Sequence, residues 1–316
     1  MSTPKVLVFG ATGTVGAATA HAAAAHGAEV VLAVRDLSKP MPNTPAAQDK
    51  AFRRIQADLS VPSTLHAAAS ATGATRAFLY VDFASTDGMR ASLEALRSGG
   101  VDFAVLLSTA GIRGDPADVA DDHPVFAASA RAERSLRAVF GARGYVAVRP
   151  ASFASNTLWW ADMVRAGDVR LAYPRAASDH IAPGDIGRVS GAVLARGADV
   201  LGEIGGGFND VRLFGPALVA QEDAVLTIAR VLGKEGEVRV RTVDEEEFLG
   251  IMTRFLPPVV AKVILEEHRT LAGSEGDGGF FAEEQLRESA AVIEKLGGSP
   301  ATTFEQWVEE NKALFE

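Results

Sequence analysis

The chain has 316 residues, 47% of them hydrophobic, with 31 Lys and Arg against 40 Asp and Glu for a formal charge of -9. That composition fills a substantial core without covalent staples, and the absence of cysteine excludes disulfides, thiolate catalysis and cysteine-held metals. An acidic chain lacks the global basic footprint of a nucleic-acid binder, and no apolar run reaches membrane-spanning length.

The first predicted element is a buried parallel strand, Val6 to Phe9. It is followed by GATGTVG, Gly10 to Gly16, and an alanine-rich helix over Thr14 to His26. Gly10 ends the strand in a tight turn, Gly13 removes a Cβ where an anion would approach, and Gly16 permits close helix-to-strand packing. The free N–H groups of Thr12 to Val15 then face that anion at a helix N-terminus, which is how a dinucleotide pyrophosphate is held. The start MSTPK runs directly into this first strand, so no signal peptide and a cytoplasmic location are expected.

The second strand, Glu29 to Val34, runs into Arg35-Asp36, where the adenosine ribose belongs. A carboxylate there accepts from the hydroxyls of NAD, whereas Arg35 favours a 2′-phosphate. Lys39 adds a second positive charge in a loop broken by Pro40, Pro42 and Pro45. The balance prefers NADP(H) over NAD(H), with Asp36 opposing it, unless Arg35 and Asp36 are simply a solvated pair.

The strand and helix rhythm continues. Strands are expected over Phe52 to Ala57, Ala77 to Val81, Val101 to Leu107 and Tyr145 to Val148, with helices over Pro62 to Thr72, Thr86 to Ser98 and Val125 to Phe140. The fold class is therefore α/β, a Rossmann-like doubly wound parallel sheet with a smaller C-terminal α/β substrate lobe. Residues 1–150 form the nucleotide domain and 183–215 return to it, while 151–182 and 216–316 mostly build the lobe and C-terminal helices. In this topology ligands lie beyond the carboxyl ends of the strands. That singles out Asp58 and Leu59, Val81, Asp82 and Phe83, Ser108 and Pro150. Asp58 is read either as an acceptor for the adenine amino group or as a helix cap.

Past Pro150, the segment Ala151 to Gly167 carries Phe153, Asn156, Trp159, Trp160 and Met163. Adjacent tryptophans cannot share one helical face, so the reading is either one in the core and one lining a pocket or, as is more common, both in a core or interface. Further on, a helix opens at Asp185-Ile186 and runs through Leu194, and a strand covers Phe208 to Leu213. A helix over Ala220 to Leu232 and a strand over Val238 to Val243 follow. Asp244-x-x-Glu247 and Thr302-x-x-Glu305 read as capping boxes, the second opening a terminal helix from Phe304 to Leu314. Ala261 to Arg269, after Pro257-Pro258, fits a dimer surface or a buried helix, so the chain is expected as a monomer or homodimer. The histidine spacings offer no metal site.

These pieces together resemble the NmrA-like branch of the atypical short-chain dehydrogenase/reductase superfamily. The resemblance is carried by GATGTVG, AVRD at Ala33 to Asp36, ADLS at Ala57 to Ser60 and LLSTAG at Leu106 to Gly111. It continues in VRPASFASN at Val148 to Asn156, HIAPGDIGR at His180 to Arg188 and TFEQWVEENKALF near the end, and so spans nearly the whole chain. It implies an NAD(P)-binding Rossmann domain contacted through Gly10, Thr12 to Gly16, Arg35, Asp58, Val81 to Phe83 and Ser108. Pro150 and Phe153 would lie beside the nicotinamide.

Some members reduce quinones, ketones or phenylpropanoid ethers; others bind the cofactor as redox sensors. Catalytic members carry a lysine about one turn before the glutamate that matches Glu133, and here that position is Ser129. Hydride transfer needs only proximity and orientation, so a reductase of a small ketone, enone or quinone remains the first expectation and an NADP(H) sensor the second. The candidate donors are Ser108, Ser129 and His180, an imidazole being suited to proton transfer near neutral pH. Asn156, Trp159, Trp160 and Met163 are the expected substrate pocket.

Overall fold

The computed structural model describes residues 3–204, 207–273 and 282–316. In chain order, β1 (Lys5–Phe9), α1 (Thr14–Ala25), β2 (Glu29–Val34), α2 (Ala46–Ala51), β3 (Arg53–Gln56) and α3 (Pro62–Thr72) open the chain. β4 (Arg76–Tyr80), α4 (Arg90–Ser98), β5 (Phe103–Leu107), α5 (Pro124–Phe140) and β6 (Tyr145–Pro150) follow. Then come α6 (Ala161–Ala166), β7 (Asp168–Leu171), β8 (Ala177–Ser178), α7 (Pro183–Arg196), β9 (Asp210–Leu213) and β10 (Val219–Ala220). The chain ends with α8 (Gln221–Val231), β11 (Arg239–Thr242), α9 (Glu245–Met252), α10 (Pro258–Gly273), α11 (Glu283–Gly297) and α12 (Phe304–Asn311).

The chain divides into two compact units. The first comprises Met1–Pro150, Pro183–Leu213 and Val292–Pro300, and the second Ala151–Ala182, Phe214–Ala291 and Ala301–Glu316. Residues 292–300 belong to the first unit, a return that their sequence does not signal. Residues 205–206 and 274–281, inside the expected spans, lie outside the described residues.

The first unit is built on a parallel sheet in the order β3-β2-β1-β4-β5-β6-β9. Its central strands are continuous apolar runs because helices cover both faces, and β6 is buried at every residue. The edge strand β3 reads Arg-Arg-Ile-Gln, with polar side chains that discourage pairing with another chain. The order in which successive strands join the sheet reverses between β1 and β4, which run parallel, and this makes their carboxyl ends the switch point where such sheets bind ligands.

Helix α7 lies against α1 through small residues. A Cβ on Gly187 would stand 2.3 Å from the Ala18 Cβ, and one on Gly191 2.5 Å from that of Ala22. This close approach gives the Asp-Ile-Gly segment its structural meaning, with Asp185 paired to Arg188 at 2.5 Å.

Several boundaries differ from the expected ones. Helix α4 starts at Arg90 rather than near Thr86, because Gly88 (φ 63) and Met89 (φ 65) are both left-handed and no helix passes through such a pair. The proline-broken loop after β2 contains the short helix α2, which begins directly after Pro45. The final capping box is shifted by one residue: Thr303 accepts from the Gln306 N–H, and Gln306 returns to the Thr303 backbone. At the other predicted box Asp244 caps α9, but the Glu247 side chain turns to Arg170 and Arg241 instead.

In the second unit, β7 pairs with β11 and β8 with β10. Trp160, Val164, Leu171, Ile228, Trp307 and Phe315 belong to one core. A smaller cluster joins Phe248 and Met252 to Ala261 and Leu265, so α10 buries one face within this unit.

Candidate functional site

The glycine turn of the first unit is held by its own backbone. The Gly13 N–H donates to the Gly10 carbonyl at 2.9 Å, so it closes the turn and is not among the free donors expected over Thr12 to Val15. Gly10 has φ 72, open to glycine at little cost, and a Cβ there would press on the Tyr80 ring at 3.0 Å. A Cβ on Gly16 would lie 2.2 Å from the Gly10 carbonyl oxygen, whereas one on Gly13 would lie 3.4 Å from it. Gly16 is therefore required by the fold, whereas the fold leaves room for a Cβ at Gly13. No side chain caps α1, so the N–H groups of its first turn are left for water or a ligand.

A groove of about 340 Å³ opens on this turn. Phe9, Gly10, Thr12, Gly13, Thr14, Val15 and Gly16 line it, with Phe78, Tyr80 and Leu107 from the ends of β4 and β5. Tyr80 is 36% exposed and forms a groove wall. Its place at the last position of β4 is the signal that marks it. Burial raises its phenol pKa, opposed by the nearby Arg35 guanidinium.

Arg35 and Lys39 are exposed beyond β2. The Asp36 carboxylate accepts from the Ser38 N–H at 2.9 Å and the Ser38 hydroxyl at 2.6 Å, bonds that lower its pKa. Asp58 makes the same turn with Ser60, whose N–H bond chiefly lowers its pKa, Arg35 adding to the effect. The cap of α3 is Val61, so Asp58 is not the helix cap. Leu59 points its side chain into the core, and its carbonyl accepts from Ser92. Val81 is buried, Asp82 turns its carboxylate to the Ala84 N–H, and Phe83 is 62% exposed.

The expected donors are differently placed. Ser108 donates its hydroxyl proton to Glu133 at 2.5 Å, and Ser129 is buried one turn before Glu133 on α5. Pro150 ends β6, and its carbonyl accepts from the Ala110 N–H at 2.8 Å. His123 caps α5 by accepting from the Phe126 N–H.

The second unit contains a separate, partly open cavity of about 60 Å³. Phe153, Asn156, Trp159 and Trp160 line it, as do His180, Gln221, Phe248 and His268. Both tryptophans border this cavity: residues 154–160 form a tighter 3-10 turn, and Trp160 also packs in the core. Met163 packs against that core and does not line the cavity. His180 (φ 43) is 5% exposed, and burial lowers its pKa to about 4, an effect that the Val219 backbone only slightly opposes. It is neutral at physiological pH, which corrects its reading as a proton donor there. Gln221 and His268 were not singled out in the sequence, since a lone Gln or His carries no motif.

Among the described residues no group of His, Cys, Asp or Glu could hold a metal ion, and no helix is long and apolar enough to cross a membrane.

The sequence model of an NAD(P)H-binding family matches residues 10–170. The nitrogen metabolite regulation-like protein bik4 of Gibberella fujikuroi is 36% identical over 322 residues, covering 96% of this chain and 95% of that protein. An NADPH-dependent quinone oxidoreductase from Escherichia coli, solved with NADPH, matches with TM-score 0.69 and 20% identity over 98% of this chain and 100% of its own. A mutant NmrA matches with TM-score 0.68 and 16% identity over 100% of this chain and 97% of its own. The two structural likenesses speak for the fold.

Proposed function

The chain belongs to the NmrA-like family of NAD(P)H-binding proteins, and from that premise we propose that it is an NADPH-dependent oxidoreductase reducing a small ketone, enone or quinone. The observation that carries this reading is the uncapped start of α1 behind Gly10, Gly13 and Gly16, in a groove at the sheet's switch point. NADPH, when bound, supplies the hydride.

The chain's own residues do the rest. The first turn of α1 offers N–H donors to the pyrophosphate, and Gly13 leaves room for its approach. Arg35 supplies charge for a 2′-phosphate, while the Asp36 carboxylate that would select NAD turns one oxygen, Oδ1, to Ser38. Lys39 adds to that charge. Phe83, Pro150 and Phe153 are the proposed neighbours of the cofactor further along, and Asn156 and Trp159 the proposed substrate contacts.

A quinone is the acceptor these residues suit best. Ser108 has its proton committed to Glu133, and His180 is neutral, so neither of these two candidate donors stands ready to protonate an alkoxide. A hydroquinone anion is stabilised by its ring and takes its proton from water. The test is NADPH oxidation against a panel of quinones, enones and ketones: turnover of quinones well above ketones supports the reading, and no turnover with any of them overturns it.

The same scarcity of proton donors favours a second reading, an NADP(H)-binding redox sensor. A sensor responds only through different affinities for the oxidised and reduced cofactor. An affinity ratio of about tenfold or more without turnover would select it.

A further inference from the structure

The second unit buries polar atoms that its fold does not use. Gln221 is 2% exposed and His180 5%, yet among the described residues both amide atoms of Gln221 and Nδ1 of His268 lack a hydrogen-bond partner, and the His180 ring, beside the Val219 backbone, makes no hydrogen bond of good geometry. All three side chains line the same 60 Å³ cavity. An unpaired buried polar group costs about 1–3 kcal/mol, and native interiors hold few of them. Their convergence on one space is destabilising unless something enters that space and pairs with them.

The walls define what that is. Burial holds both imidazoles neutral, each pKa lowered to about 4, with His180 a further cause for His268. A neutral imidazole carries one N–H and one lone pair, and the glutamine amide carries both kinds of group. The cavity thus presents donors and acceptors together. A carboxylate would oppose the Gln221 carbonyl and face Glu267, which also lines the space. A cation would oppose the N–H groups, and an apolar occupant would leave every group unpaired. The volume takes about four waters or the polar edge of one ring, and Phe153, Trp159 and Phe248 beside it suit an aromatic plane.

We propose that Gln221, His180 and His268 form a binding subsite for the edge of a neutral aromatic molecule bearing a hydrogen-bond donor and acceptor side by side, as in a carboxamide or a hydroxy-carbonyl pair. The subsite shares its cavity with Asn156 and Trp159, the substrate contacts proposed above, and so deepens that reading, while a binding test without nucleotide separates its failure from a failure of turnover.

The test uses the full chain without nucleotide and four probes that share a ring: benzamide, benzoate, benzamidine and toluene. Calorimetry and quenching of tryptophan fluorescence read binding directly, since Trp159 and Trp160 line the cavity. Benzamide should bind saturably and about tenfold or more tighter than the other three. Gln221→Met and His268→Phe keep the shape and remove the polar atoms. Each should weaken benzamide binding by about tenfold or more and leave Tm unchanged or raised, because an unpaired buried group has been relieved. Failure of benzamide to bind, equal binding of all four probes, or a lowered Tm in both variants would overturn the proposal.

Discussion

Arg149 grips Glu133 in a bidentate ion pair inside the first unit, with Nε 3.0 Å from Oε1 and Nη2 2.6 Å from Oε2. The two side chains are 0% and 1% exposed. The remaining nitrogen, Nη1, reaches the Ile112 carbonyl at 3.1 Å, the Gly114 carbonyl at 3.3 Å and Asp210 at 3.2 Å. Together with the Ser108 hydroxyl on Glu133, these bonds fix the loop that follows β5. The arginine of the Val-Arg-Pro segment is thus a positioning residue.

Removing one partner of a buried pair leaves the other charge uncompensated, at about 3–5 kcal/mol. Glu133→Leu should destabilise the protein by about 3 kcal/mol, the lower end of that range, because Asp210 stays beside Nη1. Glu133→Leu with Arg149→Met should recover most of the loss. Urea unfolding measures both, and a single variant as stable as the parent would contradict the role given to the pair.

The two glycines after the turn separate folding from binding. A methyl at Gly13 meets only the Gly10 carbonyl at 3.4 Å, an ordinary contact, while one at Gly16 meets it at 2.2 Å. Gly13→Ala should keep Tm within a few degrees and still lose cofactor affinity. Gly16→Ala should lose both. Thermal melts and cofactor titration of the two variants side by side would show the split.

Much of this site was legible because its signals are local. The GATGTVG turn, the β-branched strands and the small residues of the Asp-Ile-Gly helix each state their geometry within a few neighbours. What was not legible depends on distant partners. Ser108 reads as a ligand contact until Glu133 and Arg149, 25 and 41 residues further on, are brought beside it. Leu59 reads as a strand-end contact until Ser92 claims its carbonyl. Thr302 and Thr303 offer equivalent capping patterns one residue apart, and packing of Phe304 and Trp307 into the core selects the second. Gln221 and His268 acquire meaning only from the cavity they share with His180.

Asp179, His180 and His268 shape the response to mild acid. The folded pKa of His180 and of His268 is about 4 against an ordinary 6.5. Between those values the unfolded chain takes up protons that the folded one does not, so their contribution is complete above about 6.5 and is lost toward about 4. Asp179 acts the other way. Burial raises its carboxyl from 3.8 to about 7, although the Gly215 and Ser152 N–H groups oppose this. Its contribution is present below 3.8 and is lost as pH rises through about 7. In the shared window two imidazoles oppose one carboxyl, so stability falls on acidification by the equivalent of about one proton. His268→Phe should flatten that slope. Urea midpoints at about pH 7, 5.5 and 4.5 test it, and an unchanged slope in the variant would show that His268 is not held neutral.

The central claim is that the groove of the first unit holds NADPH through Arg35 and the start of α1. Calorimetric titration of the parent and of Arg35→Ala with NADPH and NADH tests it most directly. The parent should bind NADPH about tenfold or more tighter than NADH, and Arg35→Ala should erase that preference while leaving NADH affinity nearly unchanged. A parent that binds NADH as tightly as NADPH, or an Arg35→Ala variant that retains the preference, would contradict it.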